Sequence, residues 1–117
     1  MRITNQEVNT LVKATIAAGV CGFKTTVNAV SDDMQNVTFQ IESDCENIMR
    51  LVSDFPTVDS FSEIGLGFDG LIHSRARSAL KGCCSGCVVP SGIFKAMQVA
   101  AGLALPAPAS IDITKEE

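Results

Sequence analysis

A chain of 117 residues with 46% hydrophobic residues is long and apolar enough for one domain with its own core. Its net charge of -4, with no basic run, argues against nucleic acid as a partner, and no apolar stretch approaches the roughly 20 residues of a membrane span. The opening Met1-Arg2-Ile3-Thr4-Asn5-Gln6-Glu7 has no apolar signal core, so a cytoplasmic protein is expected, and there five cysteines read as metal or redox residues rather than a disulfide frame.

In chain order, residues 1–10 form a polar leading segment. Over residues 11–18, Val12, Ala14, Ile16 and Ala18 alternate as in a half-buried strand, although Val8, Leu11, Val12 and Ile16 would also suit a helix face. Gly19-Val20-Cys21-Gly22 is a glycine-flanked turn. Residues 23–30 form a second strand rich in β-branched residues, with Phe23, Thr25, Val27 and Ala29 on one face. After a polar turn, residues 37–42 alternate cleanly, with Val37, Phe39 and Ile41 pointing one way. Ser43 or Asp44 should cap a helix, with Glu46 completing a capping box from Ser43, and that helix runs through Ile48, Met49, Leu51 and Val52 to stop before Pro56.

The second half is more helical. Residues 58–67 read as loop with a helical turn near 60–64. A helix capped by Asp69 should run to Leu80, burying Leu71, Ile72, Ala76, Ala79 and Leu80 and leaving His73 beside Arg77 on its solvated side. Gly65-x-Gly67-x-x-Gly70 has dinucleotide spacing, but no strand precedes it, so the match is coincidental. Pro90 opens a helix over residues 91–102 that buries Ile93, Phe94, Met97, Ala100 and Ala101, with Gly102 at its exit. A Pro/Ala connection leads to a short last strand at Ile111 and Ile113, and residues 114–117 form a solvated tail. The expected architecture is therefore a single α+β domain over residues 1–117: a three- or four-stranded, largely antiparallel sheet with helices on one face.

The chemistry concentrates in Lys81-Gly82-Cys83-Cys84-Ser85-Gly86-Cys87-Val88-Val89-Pro90, which holds three of the five cysteines. Cys84 and Cys87 form a Cys-x-x-Cys pair just ahead of a helix start, where free N–H groups and the positive end of the helix dipole favour thiolate. On that argument Cys87 should have the lowest thiol pKa. In an antiparallel meander the first turn and the end of the third strand share one edge of the sheet. Cys21 and Cys45 should therefore lie together, and if the 81–90 loop packs there, Cys21, Cys45, Cys84 and Cys87 converge as ligands. Cys83 is a substitute for Cys84 at Cys-x-x-x-Cys spacing. Four thiolates with sulfurs about 3.5–4 Å apart suit tetrahedral zinc, and the same set suits an iron–sulfur cluster.

Two other readings stay open. Cys84 and Cys87 would cycle between dithiol and disulfide with Cys83 as resolving thiol, or the cysteines are structural in a plain interaction module, Cys21 and Cys45 acting as small buried hydrophobes. A protein partner or a homo-oligomer fits all three readings. With one histidine in the chain, Cys–His or Ser–His–Asp catalysis has little room and no catalytic residue is assigned.

Ala18-Gly19-Val20-Cys21-Gly22-Phe23, Ser43-Asp44-Cys45 and Gly86-Cys87-Val88-Val89-Pro90, with Lys95-Ala96 and Leu103-Ala104-Leu105-Pro106 after them, resemble a family of short cysteine-containing proteins of unknown function from archaea and anaerobic bacteria. The resemblance covers most of the chain beyond residue 10. It implies an anaerobe-type cytoplasm, where oxygen-sensitive clusters survive, and it implies no activity.

Overall fold

The computed structural model describes residues 10–116, so the expected leading segment lies, but for its last residue, outside the described residues. Strands β1 (Thr10–Ala17), β2 (Lys24–Ser31) and β3 (Asn36–Ser43) form an antiparallel meander, and a two-residue strand β4 (Val58–Asp59) pairs with the start of β3, giving the order β1-β2-β3-β4. Ala14 sits opposite Val27, which sits opposite Ile41; Val12, Ala29 and Phe39 align in the same way one step along. These rows make the inner face. Val27, Ala29, Val37 and Ile41 are buried there, whereas Lys13, Gln40 and Glu42 on the other face are exposed. Phe23, expected inward, lies before β2 and is exposed.

The β2–β3 turn is built on Asp33. Its carboxylate accepts the backbone N–H groups of Gln35 (2.9 Å) and Asn36 (2.7 Å) and the Asn36 side-chain amide (2.8 Å). Met34 takes a left-handed φ of 59°.

Helix α1 (Glu46–Leu51) buries Ile48 and Leu51. The expected capping box does not form, because Ser43 is still the last residue of β3. Its hydroxyl is 2.8 Å from that of Thr25 and accepts the Cys45 N–H, so Cys45 becomes the N-cap. The helical turn expected near 60–64 is helix α2 (Ser60–Leu66), preceded by β4 where loop was expected; its N-cap Asp59 accepts the N–H groups of Phe61 and Ser62. Helix α3 (Leu71–Ala79) starts at Gly70, not at Asp69. The buried carboxylate of Glu63 accepts the N–H groups of Leu71 (2.8 Å) and Ile72 (2.9 Å), which leaves Asp69 exposed in a short 3-10 turn. Arg75 donates to the carbonyls of Leu51, Ser53 and Asp54 and lies over the Phe55 ring, tying α3 to the end of α1.

Helix α4 (Val89–Ala100) begins two residues earlier than expected, with Pro90 in its first turn, and packs across β1 and β2 on Ile93, Ala96, Met97 and Ala100. Gly92 is the point of closest approach: a Cβ there would run into the Ile16 side chain. Beyond Gly102 the described residues form neither helix nor strand, so the fourth strand is β4 and not the expected strand at Ile111 and Ile113, which remain exposed. A strand needs a hydrogen-bonded neighbour as well as an alternating pattern, and this segment has none among the described residues.

Candidate thiol site

Cys21 sits at the tip of the β1–β2 turn. Gly19 and Gly22 flank it at φ of 99° and 75°, conformations that favour glycine, and the Gly22 N–H donates to the Gly19 carbonyl. The sulfur is exposed. Cys45, half-buried against the core, lies just past the pairing of Ser43 with Thr25. The Asp44 N–H donates to the Lys24 carbonyl at 3.3 Å, so the start of α1 is held beside the β1–β2 turn and both thiols occupy one end of the sheet.

The third segment reaches that end through α1. Residues Gly82–Gly86 form a 3-10 turn, in which the Cys84 N–H donates to the Lys81 carbonyl and the Cys87 N–H to the Cys84 carbonyl. The Asn47 side-chain amide donates to the Cys84 sulfur at 3.4 Å, joining this turn to the first turn of the helix that Cys45 caps. Cys84 and Cys87 pack half-buried on the core, while Cys83 is exposed. Asn47 was not singled out from the sequence. Its position two residues after Cys45, on a helix start, is the only local sign of its role.

The thiol of Cys87 is pushed above its ordinary pKa. Burial is the largest cause, and any charge on the neighbouring Cys45, Cys21 and Cys84 sulfurs adds to it. The Val89 N–H, at the start of α4, acts in the opposite direction. The expectation that Cys87 is the most acidic thiol is therefore corrected: the helix start does reach the sulfur, but desolvation and three neighbouring thiols outweigh it. All five cysteines are free thiols, and among the described residues no three His, Cys, Asp or Glu side chains are grouped as ligands of one metal ion. What the arrangement offers is a set of soft sulfur donors from three segments, with Cys83 exposed to solvent.

Beside Cys84 and Cys87 lies an open groove of about 550 Å³, with Phe68, Leu80 and Pro90 in its walls and Arg77 and Lys81 on its rim. His73 belongs to this groove and not to a solvated helix face. Its ring lies 4.7 Å from that of Phe68 and 5.2 Å from that of Phe94, an arrangement that requires α3 and α4 to meet.

A model of a family of unknown function (DUF6951) matches residues 12–113, a span that holds all five cysteines. Comparison with curated proteins and with solved structures returned no match.

Proposed function

Since the chain belongs to that family of unknown function, we propose from its own thiols that it is a small metal-binding protein of an oxygen-poor cytoplasm. It would hold an iron–sulfur cluster or a zinc ion through Cys21, Cys45, Cys84 and Cys87. The observation that supports this reading most directly is geometric: Cys21 and Cys45 lie at one end of the sheet, and the Asn47 amide joins the Cys84 turn to the helix that Cys45 caps. A cation bound among these sulfurs would favour the thiolate form of each ligand. The metal would serve electron transfer, cluster carriage or a structural role.

The second reading, a Cys84/Cys87 dithiol, draws on the hydrogen-bonded turn that holds the two residues together. A raised Cys87 pKa weighs against it, because the attacking species is the thiolate.

The test uses protein purified without oxygen. The chain has neither Trp nor Tyr, so its near-ultraviolet background is very low. A cluster would absorb broadly into the visible; zinc would leave the sample colourless with about one metal per chain by elemental analysis. Cys21→Ser and Cys45→Ser should each lower the metal content as much as Cys87→Ser, while Cys83→Ser leaves it unchanged. Protein carrying neither iron nor zinc, with a Cys84–Cys87 disulfide that forms and reduces reversibly, would establish the dithiol instead.

A further inference from the structure

Two parts of the molecule are each incomplete, and their defects match. The first is residues 103–116. This arm leaves α4 at Gly102 and makes no strand or helix, yet it carries four large aliphatic side chains: Leu103, Leu105 (89% exposed), Ile111 (69%) and Ile113 (87%). Ile111 and Ile113 alternate with the polar Ser110, Asp112 and Thr114, the pattern of a strand with one buried face. The arm also lies inside the matched family span almost to its end, so it belongs to the domain.

The second is the outer edge of β1. It is the edge of the sheet, with no partner strand beyond it among the described residues. An eight-residue strand with an open row of N–H and C=O groups is a template for another strand. Its inner-face residues Val12, Ala14 and Ile16 are only half-buried, whereas their neighbours Val27 and Ala29 on β2 are fully buried. The apolar layer thus stops one strand short. On the opposite face, Lys13 is exposed between Leu11 and Thr15.

We propose that the arm of one copy adds a fifth strand to the β1 edge of a second copy, and the reverse, making a reciprocal two-fold dimer. Ile111 and Ile113 then extend the layer of Val12, Ala14 and Ile16. Asp112, on the other face, meets Lys13. This sidedness holds for either strand direction, because residues directly opposite one another always share a face. Pro106 and Pro108 favour a second copy over the arm's own sheet: alternating with alanine, they hold residues 105–109 extended and so keep the arm from folding back. Exchange of an identical terminal segment between protomers is a low-cost route to a dimer.

The experiment measures mass in solution by light scattering and sedimentation on the full chain, in the micromolar range. Reductant and chelator are both present, so that neither a disulfide nor a shared metal can link copies. Wild type should have twice the 12.3 kDa chain mass. Ile111→Asp combined with Ile113→Asp should give a monomer that keeps the helical far-ultraviolet signal and the cooperative unfolding of the domain, losing only the small strand contribution of the arm. Lys13→Glu should weaken the dimer roughly tenfold, since two cross-strand charge pairs are lost per dimer, and adding Asp112→Lys should restore it. A monomeric wild type overturns the proposal; if its arm amides are then protected from hydrogen exchange, the arm closes on its own body. A dimer that survives the double aspartate variant overturns it as well.

Discussion

Asp33 shows how much one side chain can organise. Its carboxyl is held below the usual carboxylate range, at about 2, by the Asn36 N–H first, then the Asn36 amide and the Gln35 N–H. These donors favour the charged form only in the folded turn. A group whose pKa is depressed by folding contributes stability that is complete above its unfolded pKa, about 4, and is lost as the pH falls towards the folded value. Asp59, lowered by the Gln35 side chain and by the N–H groups it caps, acts in the same direction. The melting temperature should therefore stay level above about pH 5 and decline below about pH 4. Asp33→Asn, which keeps an acceptor for the turn but cannot titrate, should make that decline shallower. Thermal melts followed by circular dichroism across the acid range measure this, and an unaltered slope would show that the donors do not act on the charge.

Elements meet here at points where small residues or single polar groups set the distance. Helix α4 crosses β1 at Gly92 and Ile16, too close for an added methyl group. Gly92→Ala gains about 1 kcal/mol of helix propensity but must displace the half-buried Ile16 terminal methyl, so it should destabilise the domain by no more than about 1 kcal/mol. Ile16→Val removes the terminal methyl that the new Cβ meets, so the double variant should recover part of the loss. Urea unfolding of all four proteins in a double-mutant cycle gives the coupling, and additive effects would place the clash elsewhere. Glu63 and Arg75 act at the same scale. The Glu63 carboxylate starts α3, and the Arg75 guanidinium closes the end of α1. Glu63 thus joins α2 to α3 and Arg75 joins α3 to α1, and the 3-10 turn after α3 carries Cys84 to Asn47.

For the molecule as a whole, the thiol end is where three separate stretches of chain come together: the β1–β2 turn, the start of α1, and the turn ahead of α4. A metal bound there would cross-link them in the folded state alone, and its binding free energy would add to stability, about 2.7 kcal/mol at a hundredfold excess over its dissociation constant. Treating anaerobically prepared protein with a strong chelator should lower its melting temperature and loosen this end first. In Cys45→Ser the chelator should have no effect. Equal melting of wild type with and without chelator would remove the metal from the stability of the fold. No helix of the described residues is long and apolar enough to cross a membrane.

The sequence by itself determined what depends on neighbours a few residues apart. The alternation in residues 37–42, the β-branched run of β2, the glycines around Cys21 and the proline at the start of α4 each specify a local conformation, and the meander follows from their order. That order also sets Cys21 and Cys45 at one end of the sheet. Only the tertiary structure decided which partners compete for each group. Ser43 pairs with Thr25 and so cannot close a capping box, Glu63 displaces Asp69 as the start of α3, and His73 is enclosed between rings from two other segments. Burial likewise reversed the expected acidity of Cys87, because desolvation and neighbouring thiols depend on packing across the chain while the helix-start effect is local. The alternation of Ile111 and Ile113 points to a strand that does not form, because a strand exists only with a partner and the described residues supply none for that segment.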